Sequence, residues 1–400
     1  MKNHLAGRVN SPIPIPAYYP SDIIKGEGPY IFNKNGDKYI DMWMGYGALL
    51  FGHADPDIIQ TINNNIKNGW FFSYQTYFEK ELSNIIHDII PSAEKVRFAT
   101  TGSDVVAYSI RASKSYTDRQ KVLSIIGGYH GVHEGMIPSA SIPDNQNLDL
   151  IPFNDIVAVK EKLKNKEYAC FLLEPILANS GCTPPRENYL KEIRKICDNT
   201  GTVLIFDEIV MGFRVNIHGA QGLYNVTPDL SLFSKAIAGG LPLSVVCGRK
   251  EIMESFIPTG NVFFAGTFNA NPLSLNVSKT VIKKLKNGNF YTKTQKLGDD
   301  LRDYIREQIN RLQIPACVQG IASMLTVAFG CKSFIKGIKL EGCDDTVYNF
   351  FIEEMAKRHI LLPPLPTETV FLSPVHESVI DEIKIAIKQS LEEVKDKHYR

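Results

Sequence analysis

Residues 228–244 read "PDLSLFSKAIAGGLPLS", and this stretch decides the fold. It opens as a short buried strand, breaks at Ser234 and Lys235, and continues with small apolar residues and a pair of glycines. Lysines usually occupy charged, solvated surfaces. On apolar ground an amine loses its proton more easily than in water, and the neutral amine is the form that attacks a carbonyl. Upstream, "GTVLIFDEIV" (201–210) repeats the pattern, an apolar run that stops at Asp207 and Glu208. Further runs are "KVRFAT" (95–100), "KVLSII" (121–126) and "YACFLLEPI" (168–176), with helical stretches such as "DVVAYSIRASKSYT" (104–117) and "NYLKEIRKICDNT" (188–200) between them. Strands that are apolar throughout and alternate with helices imply an α/β fold with a mostly parallel sheet covered on both faces. Ligands of such sheets lie beyond the carboxyl ends of the strands.

Outward from this core the pattern changes. "GPYIFNKNGDKYIDMW" (28–43) alternates around an Asn-Gly pair and predicts a hairpin. After about residue 280 come a long amphipathic helix, "YTKTQKLGDDLRDYIREQINRL" (291–312), short strands and a charged last helix. The expected organisation is an N-terminal segment over 1–54 that joins a small domain, a large ligand-binding domain over 55–282, and a smaller α+β C-terminal domain over 283–400. The 400 residues carry a formal net charge of +1, which argues against a strong field for nucleic acid or an anionic membrane. Seven cysteines, an odd set without a CxxC pair, argue against a disulfide framework and for a reducing cytoplasm. The N-terminus lacks an apolar signal core, and no apolar run reaches the ~18 residues of a membrane span.

Polar clusters end the strands. Asp207 closes an apolar run, where a carboxylate is costly unless a cation or strong donor meets it. It is either an ordinary cap or arginine partner, or the group that keeps a heterocyclic nitrogen protonated. "FATTGSDVV" (98–106) passes through Gly102 into a helix whose first turn offers Thr101 and Ser103, either an ordinary cap or a phosphate seat. "SIIGGYHGVHEG" (124–135) sets Tyr129 and His130 in a glycine-rich turn, where the aromatic either stacks on a planar ligand or packs in the protein. His130 and His133 lack a carboxylate or cysteine at zinc spacing, so no metal site is expected. One ligand uses all these groups. Pyridoxal 5'-phosphate needs a lysine for its aldehyde, a carboxylate for its ring nitrogen, a helix N-terminus for its phosphate and a stacking partner for its ring.

With these residues assembled, "LIFDEIVMGFRV" (204–215), "SKAIAGGLPLS" (234–244) and "FFAGTFNANPLS" (263–274) resemble the class III, fold type I aminotransferases. The pattern is nearest to the glutamate-1-semialdehyde 2,1-aminomutase branch. The likeness runs from "GRVNSPIPIP" (7–16) to "FLSPVH" (371–376). It implies a sheet of the seven-stranded type and a homodimer with shared active sites. It implies Lys235 as the Schiff-base lysine, Asp207 as the pyridinium partner, and Gly102 and Ser103 as the phosphate turn. It also implies Tyr129 as the stacking aromatic with His130 beside it, Asn179 near the phenolic oxygen, Ile209 under the ring with Glu208 alongside, and Thr267 reaching the phosphate from the neighbouring subunit. For substrate, it points to Tyr46, Ser11 and Glu368.

One departure bears on substrate: where the aminomutase pattern has a carboxylate-holding arginine, this chain has Pro14. Arg8 lies just before and either replaces that charge, gripping a carboxylate or phosphate, or is a surface charge. The expected activity is transfer of an amino group from an amino acid, L-glutamate by resemblance, to a small ketone or aldehyde in a biosynthetic pathway. A phosphorylated or sugar-derived carbonyl such as a triose phosphate is one such acceptor. Intramolecular transfer of the aminomutase kind is the alternative. A binding protein of α/β type without this cofactor is a remote one, because no GxGxxG follows the first strand.

Overall fold

The computed structural model describes residues 4–5, 13, 15–133, 136, 147–331 and 343–399. Arg8, Ser11 and Pro14 lie outside the described residues. The strands are β1 (Ile23–Glu27), β2 (Tyr30–Asn33), β3 (Lys38–Asp41), β4 (Lys95–Ala99), β5 (Lys121–Ile125), β6 (Leu148–Ile151), β7 (Tyr168–Leu173), β8 (Val203–Asp207), β9 (Leu230–Phe233), β10 (Ser244–Gly248), β11 (Ala316–Ile321), β12 (Met324–Phe329), β13 (Ile360–Leu361) and β14 (Val370–Phe371).

Seven of them form one sheet in the order β4-β10-β9-β8-β7-β5-β6. The pairs from β9 through β8, β7 and β5 to β6 are all parallel. Only β10 runs the other way, antiparallel to both β9 and β4. The mostly parallel sheet expected from the sequence is therefore present. Its apolar strands are explained by two covering layers. Leu204 and Phe206 of β8 pack with Phe171 and Leu173 of β7 against Leu190 and Ile193 of helix Tyr189–Thr200. Ile205 faces the opposite side with Cys170 and Leu172, against Val105, Val106 and Ile110 of helix Gly102–Thr117.

The hairpin forms as read, with β2 antiparallel to β3 across Asn35-Gly36, where Gly36 takes φ +88°. Tyr30 pairs with Ile40, and Ile40 pairs in turn with Ile360 of β13. Ile40 and Met42 share a core with Leu301, Ile305, Phe351 and Ile387 of the C-terminal helices. A third sheet, β11-β12-β14, lies in the same C-terminal part. Position 282 falls within helix Pro272–Asn287, which runs on to Gly288. Among the described residues, no helix is long and apolar enough to cross a membrane.

Phe206 is fully buried between β8 and the helical layer. Phe206→Ala should lower the unfolding free energy by about 3–5 kcal/mol, read from a shifted midpoint in urea unfolding.

Candidate active site

The carboxyl ends of β4, β5, β7, β8 and β9 all open on one edge of the sheet, and each delivers a polar group there. β8 ends on Asp207, whose Oδ2 lies 2.7 Å from His130 Nδ1, both side chains almost wholly buried. Asp207 Oδ1 also accepts from the Ile209 amide at 3.1 Å. His130 Nε2 has no partner among the described residues, so the ring hydrogen belongs on Nδ1, donated to the carboxylate. β7 ends one residue before Glu174, which accepts from the Tyr129 amide (3.0 Å), the Ala178 amide (3.0 Å) and Asn179 Nδ2 (3.1 Å to each oxygen). Burial pushes the Glu174 carboxyl up to about 6, and His130 and the donors pull against it. The two carboxylates thus fasten the turn after β5 onto the sheet edge.

That turn also lies over the start of helix Gly102–Thr117. Ser103 Oγ accepts from the Val132 amide at 3.1 Å. Gly131 sits at φ +85°, and a Cβ there would meet Ser103 Oγ at 2.3 Å. Thr101 and Asp104 close a capping box, Thr101 N donating to Asp104 Oδ2 (2.9 Å) and Asp104 N to Thr101 Oγ1 (3.3 Å). The Gly102 and Ser103 amides belong to the first turn, which has no intrahelical acceptor. A Cβ on Gly102 would come within 2.8 Å of Ile209 Cδ1, so any side chain here would displace the Ile209 methyl.

β9 ends at Phe233, and Lys235 follows in left-handed backbone (φ 46°). Burial lowers its amine below the ordinary lysine value; Glu174, Glu368 and Asp207 oppose the shift, and Arg214 adds to it. Glu368 is itself raised by burial, with Lys235 and the Trp43 indole holding it down. Tyr129 is half-exposed, and burial raises its hydroxyl, with the Glu368 charge adding to the shift. Tyr46 sits beside Trp43, ring centroids 4.3 Å apart.

One expected residue lies elsewhere. Glu208 points away from this cluster: its carboxylate accepts from the Ala220 amide, the Gln221 amide (3.3 Å) and Gln221 Nε2 (3.0 Å) at the start of helix Gly219–Tyr224. Strand alternation puts it on the opposite face from Asp207, so its place is structural rather than beside a cofactor ring. Thr267 is exposed, on a loop tied in through Asn269, which accepts from Thr100 Oγ1 at 3.1 Å.

Two residues went unassigned in the sequence. Glu174 ends an apolar strand as Asp207 does, and that signal could have found it. Arg214 is wholly buried and donates to the Gly47 carbonyl, Ser323 Oγ (3.2 Å) and the Leu372 carbonyl (3.4 Å), with the Phe371 ring 4.8 Å away. It ties three remote segments together, which no local pattern reveals.

The edge therefore offers a desolvated amine, a buried carboxylate braced by imidazole, helix-terminal amides behind a glycine, and an aromatic ring. This donor set fits pyridoxal phosphate: the amine could meet the aldehyde, Asp207 the ring nitrogen, and the Gly102–Ser103 amides the phosphate. No group of three or more histidine, cysteine or acidic residues among the described residues is arranged to hold a metal ion.

Comparison with known proteins agrees. The model of the class-III aminotransferase family matches residues 16–146 and 135–336. The glutamate-1-semialdehyde 2,1-aminomutase of Methanothrix thermoacetophila is 33% identical, with 97% of this chain and 94% of that protein covered. The protein of the same name from Saccharolobus islandicus is 34% identical over 93% of this chain and 90% of its own length. Among solved structures, an omega-transaminase from Sphaerobacter thermophilus superposes with TM-score 0.90 at 26% identity, covering 98% of this chain and 95% of that one. A glutamate-1-semialdehyde aminomutase from Pseudomonas aeruginosa shares the fold, with TM-score 0.86 at 20% identity over 94% of this chain and 89% of that one. By sequence, fold and the groups gathered at its strand ends, the chain belongs to the class-III aminotransferases.

Proposed function

We propose that this pyridoxal-phosphate-dependent enzyme moves an amino group from L-glutamate to a small ketone or aldehyde. The observation that carries the proposal is the desolvated Lys235 amine, set among the same strand ends as the buried Asp207–His130 pair. Bound there, the cofactor supplies a carbonyl that captures amines and a ring that accepts the electron pair left when the substrate Cα–H bond breaks. Asp207, fixed by His130 and the Ile209 amide, presents a negative charge that keeps a proton on the ring nitrogen. The Gly102–Ser103 amides would hold the cofactor's phosphate, and Tyr129 would face its ring. Lys235, its amine lowered by burial, would be the base that takes the proton from the substrate Cα.

Intramolecular transfer of the aminomutase kind is the second reading, favoured by the names of relatives that match nearly the whole chain. Pro14, standing where that branch has an arginine, favours the intermolecular one. An acceptor with a phosphate, gripped by Arg8, is the finer form of this proposal. The reading also includes a second copy that completes the site through Thr267. The apolar surface around it supports this: Phe263 and Phe268 are 68% and 64% exposed, and Phe71 packs on Phe268 with centroids 5.8 Å apart.

Glutamate added to the purified holoenzyme should convert the cofactor to its amine form and release 2-oxoglutarate. No conversion by glutamate, with turnover of a diamino acid or amino aldehyde instead, would establish the intramolecular reading. Lys235→Ala should lose turnover and the visible absorbance of the lysine-linked cofactor. Asp207→Asn should keep the fold but lower turnover by about 10²–10³. Because the Lys235 amine is lowered from 10.5, its neutral form accumulates at lower pH than an ordinary lysine's. Recapture of pyridoxal phosphate by the apoprotein should then rise with pH and level off before pH 10.5. Thr267→Ala should weaken cofactor retention, measured by dialysis, without dissociating the dimer seen by sedimentation.

A further inference from the structure

Three of the seven cysteines, separated in sequence, converge at one end of the β11–β12 ladder. Cys317 Sγ lies 3.1 Å from Cys331 Sγ, and Cys343 Sγ also lies 3.1 Å from Cys331 Sγ. Cys331 is buried at 6% exposure, whereas Cys317 and Cys343 are partly exposed. Backbone geometry enforces the meeting. Gly330, in left-handed backbone at φ +79°, turns the chain after β12, and its amide donates to the Pro315 carbonyl at 2.6 Å, which sets Cys331 beside Cys317 near the start of β11. The Asp344 amide donates to the Phe329 carbonyl at 2.8 Å, and Asp344 caps helix Asp345–Lys357, which brings Cys343 in from the other side. The remaining cysteines, Cys170, Cys182, Cys197 and Cys247, are buried in the large sheet and its surroundings.

We infer that Cys317, Cys331 and Cys343 form a reversible oxidation site in which Cys331 is the shared resolving thiol. A disulfide brings two sulfurs to about 2.05 Å, so either pair closes with a shift of about 1 Å. With a peroxide as oxidant, the thiolate of an outer, accessible cysteine attacks one peroxide oxygen. The O–O bond breaks, and a sulfenic acid and water are left. Cys331 then attacks that sulfur, the S–S bond forms and a second water leaves. Two thiols give up two electrons and two protons, and one peroxide yields two waters. A dithiol reductant reverses the step. Since Cys331 touches both neighbours, the bond can form on either side and pass between them by thiol exchange. Burial and the neighbouring thiols raise the outer two, Asp345 adding to this at Cys343, so thiolate is scarce at neutral pH and oxidation accelerates in alkali.

The test is hydrogen peroxide treatment of the purified holoenzyme at alkaline pH, alkylation of the remaining thiols, and peptide mapping without reduction. Each chain should lose two of its seven thiols, with Cys331 linked to Cys317 or to Cys343, and dithiothreitol should restore both. Cys343→Ser should leave only the Cys317–Cys331 link, Cys317→Ser only the Cys331–Cys343 link, and Cys331→Ser neither. The wild-type map stands alone should a variant fail to fold. The inference is overturned if the outer cysteines go on to sulfinic acids without a link, if links form between chains, or if the other four cysteines pair as readily.

Discussion

A carboxylate at the end of a buried strand must be met by donors, and meeting two of them assembles this site. Asp207 draws in His130, and Glu174 draws in the amide of Tyr129. Both acceptors stand at the ends of strands in the middle of the sheet, and both donors belong to the turn that follows β5. The turn is therefore held at two points, with its aromatic side chain facing the solvent side of the edge. Either anion without its donors would carry the full cost of desolvation.

Lys235 depends on the same arrangement. Its desolvation favours the neutral amine, while Glu174, Glu368 and Asp207 keep that shift from going further. An amine in this balance can be charged in one part of a cycle and neutral in another, as proton carriage requires. The backbone contributes as well, because Lys235 takes a left-handed φ that a non-glycine residue adopts at some cost. Arg214 supports the surroundings from beneath: one guanidinium binds the carbonyls of Gly47 and Leu372 and the hydroxyl of Ser323. It thereby ties the loop carrying Tyr46 to the segment that follows Glu368.

The cysteine cluster shows how a second property can arise away from this edge without any motif. Spacings of 14 and 12 residues match no metal or redox signature, yet a glycine turn and a helix cap fold them onto one point. Composition argued against a disulfide framework, and four of the seven thiols sit apart in the core. It had no means of reporting that the other three touch.

The elements legible in the chain alone were those with a local physical cause. Apolar runs without alternation marked strands buried on both faces, and the polar residues ending them, Asp207, Lys235 and the turn at Gly102, gather at the sheet edge that forms the candidate site. The Asn-Gly pair marked the hairpin. Within the large sheet, β6 and β10 passed unread. β6 is only Leu148–Ile151, and β10 begins directly after the lysine motif and runs against the sheet. Glu208 shows the limit of reading by neighbourhood, because a single step along a strand reverses the face and carries its carboxylate to a helix instead of the site. Which donors meet Asp207 and Glu174, what Arg214 fastens and where three cysteines converge are long-range pairings. They follow from how the layers pack, and only the tertiary structure decides them.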